Sequence, residues 1–162
     1  MASKATKAIP DGYHSITPYL IVKGAAAALD WYGKVLGAEE TVRMAGPGGA
    51  IMHAEMRFGD SCVMLADEMP EMGARSPKTV GGTPVGLMFY VKDVDTVFAR
   101  AIAAGASVER AVQDQFYGDR SGTLSDPFGH KWTIGTHIED VTPAEMKARM
   151  DEYAAKMAGQ KK

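Results

Sequence analysis

Cysteine is almost missing. Cys62 stands alone in 162 residues, which excludes an intrachain disulfide and any metal centre built from several thiolates of one chain. Positive charge is not in excess either: 18 Lys and Arg face 20 Asp and Glu, so no surplus exists to neutralise nucleic-acid phosphates or an anionic membrane surface. Nucleic acid and membrane are therefore not expected partners. No apolar run approaches the ~18 residues of a membrane helix. The N-terminus carries Lys4 and Lys7 and reaches Pro10-Asp11-Gly12 without the apolar core of a secretion signal. Together these absences predict a soluble protein of the reducing cytoplasm. What the chain does hold is core material, since 46% hydrophobic content suffices for one compact domain or two small fused modules.

Local pattern supplies the elements. Residues 15–22, SITPYLIV, are β-branched and aromatic and run into a Lys23-Gly24 break, as a strand does. Ala25, Ala28, Leu29, Tyr32 and Val35 then recur at helical spacing, and Gly37 supplies the stop. Three strands are expected next, over 39–45, 51–58 and 61–66, separated by Gly46-Pro47-Gly48-Gly49 and Gly59-Asp60. The second half repeats this order. A strand is expected over 85–91 and a helix capped by Asp93 and ended by Gly105, followed by strands over 107–112, 116–125 and 131–136.

Direct comparison supports duplication. Val22-Lys23 matches Val91-Lys92, Gly37-Ala38 matches Gly105-Ala106, and Phe58-Gly59 matches Phe128-Gly129, at separations of 69, 68 and 70 residues. The expected organisation is a flexible N-terminal arm over 1–14, a first βαβββ module over 15–67 and a Gly/Pro-rich linker over 68–83. A second module over 84–138 and a C-terminal helix and tail over 139–162 complete it. Thr142-Pro143-Ala144-Glu145 forms a capping box that opens the tail helix. Its stripe of Met146, Met150, Tyr153 and Met157 needs cover from its own sheet or from a partner subunit, the former being the usual fate of an amphipathic helix.

Two segments carry a resemblance. LDWYGKVLGAEE, Leu29 to Glu40, resembles the helix-to-strand signature of the vicinal oxygen chelate superfamily (glyoxalases, bleomycin-resistance proteins and dioxygenases), and DPFGHKW, Asp126 to Trp132, resembles its final hairpin. The stretch from Tyr117 to Glu145 is most similar to the PhnB-like branch. The resemblance implies an α+β fold in which tandem βαβββ modules form curved mixed sheets around a cup, with a homodimer as the assembly. In metal-dependent members four inward positions hold a divalent ion. Carried over, they fall on Thr17, Val63, Gly86 and Thr133, none of which offers an imidazole or carboxylate. No metal ligand is assigned, no cofactor is expected, and a divalent metal is disfavoured.

The candidate site residues follow from alternation. His53, Glu55 and Arg57 share one face of a strand, so His53 and Glu55 are the candidate acid/base pair and Arg57 a ligand contact; a hydrated outer face is the competing reading. Tyr19, Met88 and Tyr90 point the same way if the family register holds. Phe116 and Tyr117 offer stacking surface and Arg120 a planar fork for an oxyanion, against a turn ion pair between Asp119 and Arg120. His14, His130 and His137 read as structural or surface residues, and Cys62 as a small buried one. Three functions stay open: a metal-independent small-molecule binder, an acid/base or metal-dependent lyase, isomerase or dioxygenase, and a ligand-free interaction scaffold.

Overall fold

The structure, a computed structural model, describes residues 4–159; the ends of the expected arm and tail, 1–3 and 160–162, lie outside the described residues. Two compact units divide the chain, the first built on residues up to Pro84 together with Phe128–His130, the second on Val85–Pro127 and the residues from Lys131 onward.

In the first unit, β1 (Tyr19–Val22), α1 (Ala25–Trp31), β2 (Glu39–Ala45), β3 (Ile51–Phe58) and β4 (Ser61–Asp67) follow one another. They form a sheet of order β1-β4-β3-β2 in which β1 runs parallel to β4 and the other pairs are antiparallel. The helix continues past Trp31 as one π turn, Tyr32–Leu36, and stops at Gly37, whose φ of 72° suits glycine. Alternation along β3 sends Ala54, Met56 and Phe58 into the core with Ala25, Ala28, Leu29 and Tyr32 of the helix. The Tyr32 ring is fully buried, 5.8 Å from Phe58 and 5.9 Å from Phe128. His53, Glu55 and Arg57 fall on the opposite, open face. Gly24 has no side chain to cap α1, and Asp67 at the end of β4 does so instead, accepting from Gly24 N and Ala25 N at 2.9 and 2.8 Å.

The opening strand begins at Tyr19 rather than residue 15. Pro18 has no N–H for the ladder, and only its carbonyl is used, by Met64 N at 2.9 Å. Between the modules a 3₁₀ turn at Pro70–Met72 and α2 (Pro77–Val80) interrupt the linker. Glu68 anchors this segment, accepting from Ser76 N at 3.0 Å and from the Thr79 hydroxyl at 2.6 Å. Those bonds hold its carboxyl at about 2, well below the usual carboxylate range.

The second unit repeats the plan with β5 (Gly86–Tyr90), α3 (Val94–Ala103), β6 (Ser107–Asp114), β7 (Asp119–Ser125) and β8 (Lys131–His137), in sheet order β5-β8-β7-β6. Asp93 caps α3 as expected, accepting from Thr96 N at 3.0 Å. Val94, Phe98 and Ala101 join Leu124, Trp132 and Ile134 in the core. A Cβ on Gly122 would lie 2.8 Å from Phe98, so the helix packs on bare backbone there. β7 starts at Asp119, not at Phe116. Residues 115–118 form a turn, closed by Gly118 N donating to Gln115 O at 3.1 Å, with Gly118 at a φ of 98°.

α4 (Pro143–Gly159) starts at the expected box, with Thr142 N donating to Glu145 at 3.1 Å and Glu145 N to Thr142 at 3.4 Å. Its own sheet does not cover its stripe, which corrects the usual-fate expectation: no residue of α4 is buried, and Met150, Tyr153 and Met157 are 54%, 48% and 45% exposed. The helix is held instead by Arg149, paired with Glu139 at 2.6 Å, and by Tyr153 stacked on Phe116 at 5.2 Å. Among the described residues no helix is long and apolar enough to cross a membrane. The observed fold is α+β, two mixed four-stranded sheets of repeated βαβββ order and a C-terminal helix.

Candidate functional site

The open face of the first sheet gathers a hydrogen-bonded row of side chains. Register sets Tyr19 beside Met64 and Met64 beside Glu55, while Cys62 pairs with Arg57. Tyr19 Oη lies 2.9 Å from His53 Nδ1, and His53 Nε2 lies 3.0 Å from Glu55 Oε1. The other carboxylate oxygen, Oε2, accepts from the Tyr13 hydroxyl and lies 3.9 Å from Cys62 Sγ. Glu55 is thereby a buried carboxylate, 8% exposed, with a partner on each oxygen.

Electrostatics follow from those partners. The Tyr13 hydrogen bond first, and the His53 bond second, hold the Glu55 carboxyl below its ordinary range, outweighing the cost of burial. An ionised Glu55 is an acceptor only, so His53 Nε2 must donate to it. A neutral His53 then offers Nδ1 as acceptor to the Tyr19 hydroxyl; a protonated one donates to it. Burial first, and the Glu55 charge second, push the Cys62 thiol up, which favours the protonated form of this small buried residue beside Glu55. A cavity of about 440 Å3 opens beside the row, lined by Ile9, Pro10, Tyr13, Thr17, Glu55 and Met64. A second, of about 250 Å3, lies on the same unit against Tyr19, Ile21, Arg75, Val80, Thr83 and His130. His130 donates from Nε2 to the Ile21 carbonyl at 3.0 Å, a structural bond of the kind expected for it.

The second sheet does not duplicate the row. Met88 and Thr123 both pair with Thr133, as Tyr19 and Glu55 both pair with Met64 in the first sheet, which makes Met88 the counterpart of Tyr19 and Thr123 the counterpart of Glu55. The polar group on this open face sits one rung further on: Tyr90 donates to Asp119 at 2.8 Å, Asp119 meets His137 Nδ1 at 2.8 Å, and His137 Nε2 reaches Asp140 at 3.0 Å. Both carboxylates favour the protonated imidazole, and the His137 pKa is raised, Asp119 being the larger cause.

The structure thus brings Tyr19, His53, Glu55 and Arg57 onto one face and places Met88 and Tyr90 on the open face of the other sheet. Phe116 and Tyr117 stand in the turn before β7, edge to face at 5.4 Å, where Phe116 also carries Tyr153. Arg120 lies on the α3 side of its sheet, its guanidinium shared between Asp95 and Asp114 at 2.7 and 2.8 Å. The Asp119–Arg120 turn pair does not form: Asp119 serves Tyr90 and His137 instead. Sequence reading missed Tyr13. Its contact with Glu55 spans 42 residues and carries no periodic signal.

The donor set does not fit the ion that the resemblance implies. Val63 is buried on the helix-covered face, and Thr17, Gly86 and Thr133 supply neither imidazole nor carboxylate. Among the described residues no three His, Cys, Asp or Glu side chains gather closely enough to hold a metal.

Comparison with known proteins is consistent across sequence and fold. The family model Glyoxalase/Bleomycin resistance protein/Dioxygenase superfamily matches residues 12–134. The uncharacterized protein Rv0887c of Mycobacterium tuberculosis is 44% identical over 139 residues, covering 84% of this chain and 82% of the relative. TioX from Micromonospora sp. ML1 superposes with a TM-score of 0.60 at 28% identity, over 77% of this chain and 99% of that one. The PhnB protein from Bacillus cereus gives a TM-score of 0.60 at 18% identity, over 76% and 99%, and so shares the fold.

Proposed function

Because the chain belongs to the Glyoxalase/Bleomycin resistance protein/Dioxygenase superfamily, we propose that it captures a small molecule on the open face of its first sheet, without the metal site of its metal-dependent relatives. The observation that carries this reading is the continuous row Tyr19–His53–Glu55–Tyr13 beside a cavity of about 440 Å3. Pockets that bind small molecules combine apolar walls with a few fixed polar groups. Met64, Ile9 and Pro10 supply the walls and Glu55, Tyr13 and Thr17 the fixed polarity, with His53 bonded to Glu55 behind them. Glu55 holds His53 by its Nε2–H and Tyr19 meets Nδ1, so His53 acts on a ligand through the carboxylate that it positions.

Native mass spectrometry of the protein mixed with a metabolite extract tests it. A stoichiometric small-molecule adduct is expected, its affinity falling about tenfold or more in His53→Ala, as loss of one charge-assisted hydrogen bond requires. Equal capture by wild type and His53→Ala rejects the assignment, and absence of any adduct favours the scaffold reading. A chemical change in the captured compound on incubation instead assigns the acid/base enzyme, for which the ionised Glu55 beside His53 provides the proton-handling pair. The same spectra read the homodimer proposed from family resemblance, as a species of twice the 17.3 kDa chain mass.

A further inference from the structure

The cavity on the first unit is half built from the N-terminal arm. Ile9, Pro10 and Tyr13 line it together with Thr17, Glu55 and Met64. The arm is folded locally: Tyr13 N donates to Pro10 O at 3.2 Å, and Lys7 pairs with Asp11 at 2.7 Å. Its backbone comes down onto the sheet at Gly12, where a φ of +83° and the Arg57 guanidinium, 3.1 Å from the place of a Cβ, favour glycine. Yet residues 4–12 are exposed, and Tyr13 is their half-buried anchor. A segment docked this way has little apolar burial to hold it, and it is tied down by the hydrogen bond its phenol gives to a carboxylate and by an exposed contact of His14 with the Asp60 carbonyl at 3.3 Å.

The two oxygens of Glu55 are used separately. Oε1 belongs to His53 and Oε2 to Tyr13. A group that displaced the phenol from Oε2 would leave the Tyr19–His53–Glu55 part of the row in place. The position is therefore shaped for what it now holds, a ring with a hydroxyl donor.

We propose that Tyr13 is a built-in occupant of the ligand face, docked on Glu55 when the face is empty and displaced by an incoming small molecule that carries a hydroxyl on an aromatic ring. This rests on the small-molecule reading above and adds both the chemistry of the ligand and a competing arm. The arm lowers apparent affinity by the fraction of time it is docked, which sets a threshold below which weak hydroxyaromatics are not retained.

The test uses p-cresol, the isolated side chain of tyrosine, titrated into the full chain and followed by NMR. Wild type, Tyr13→Ala, and Tyr13→Ala combined with Glu55→Ala are compared, each first shown to be folded by its thermal melt. Tyr13→Ala is expected to bind p-cresol about tenfold more tightly than wild type, the gain of freeing one charge-assisted hydrogen-bond site. Toluene, which lacks the hydroxyl, gains much less, and the double variant loses the gain. Equal p-cresol affinity in wild type and Tyr13→Ala overturns the proposal, as does a gain retained without Glu55 or no binding to any variant. If metabolite capture depends on His53 while p-cresol shows no gain, the arm proposal alone fails. If p-cresol shows the gain while no metabolite is captured, Tyr13 occupancy of Glu55 stands and the capture reading fails.

Discussion

At the scale of single residues, the chain places carboxylates where their partners decide their charge. Glu55 and Asp119 are both nearly buried, 8% and 4% exposed, and each is surrounded by donors on an open sheet face. At Glu55 the hydrogen bonds outweigh burial, which alone would favour the neutral form. His137 answers to the same arrangement with the opposite sign. Its folded pKa is raised above the ordinary value by Asp119 and then Asp140, so the stability it contributes is fully present below the unfolded value and is lost as pH rises through the folded one. Thermal melts of wild type and His137→Gln should differ most below the ordinary imidazole pKa of about 6.5, and the gap should narrow as pH rises above it and the ring loses its proton. A gap that stays constant across that pH range contradicts the charged contact. Tyr90 faces the same Asp119, and its hydroxyl pKa is pushed up by that bond, so it stays a donor throughout the range.

At the scale of elements, most boundaries followed from local chemistry. The β2 and β3 ranges, the Asp93 cap and the Thr142–Glu145 box all emerged from alternation or capping, because each is decided by neighbours in sequence. The exceptions are those set by distant atoms. β7 reads as starting at Phe116, since Phe116 and Tyr117 favour strands, but Gly118 turns the chain there. Its carbonyl accepts from Ile138 N and Glu139 N at 2.9 and 3.0 Å, and a Cβ on it would lie 2.1 Å from Glu139 O. Gly118→Ala should therefore destabilise the protein by roughly 1–3 kcal/mol or more, since both overpacking and a positive φ oppose it, as a denaturant midpoint would show. A stability change below about 0.5 kcal/mol, the usual surface value, contradicts that account of the turn. The Asp67 cap on α1 was equally invisible, because the residue that satisfies Gly24 N and Ala25 N stands 42 positions or more away.

At the scale of the whole molecule, duplication was legible and its asymmetry was not. The near-constant separation of matching pairs foretold two βαβββ units, and the structure has them. Repeat logic also predicts matching chemistry at matching positions, yet Tyr19 and Glu55 have Met88 and Thr123 as counterparts, and the ionisable row of the second sheet is built from the displaced positions Tyr90, Asp119 and His137. Of the candidate site residues, those on strands were placed by period-2 reasoning. Arg120 was judged by its guanidinium alone, and its carboxylate partners Asp95 and Asp114 lie on other elements. Tyr13 escaped notice because nothing in an arm's composition says which carboxylate it will meet.

Backbone amide chemical-shift mapping of the full chain with a captured ligand tests the location of the site most directly. The account predicts that shifts concentrate on Tyr19, His53, Glu55 and Met64, with Tyr13 moving as its hydroxyl leaves the carboxylate. Shifts confined to Met88, Tyr90, Asp119 and His137, with the first sheet unmoved, would contradict it.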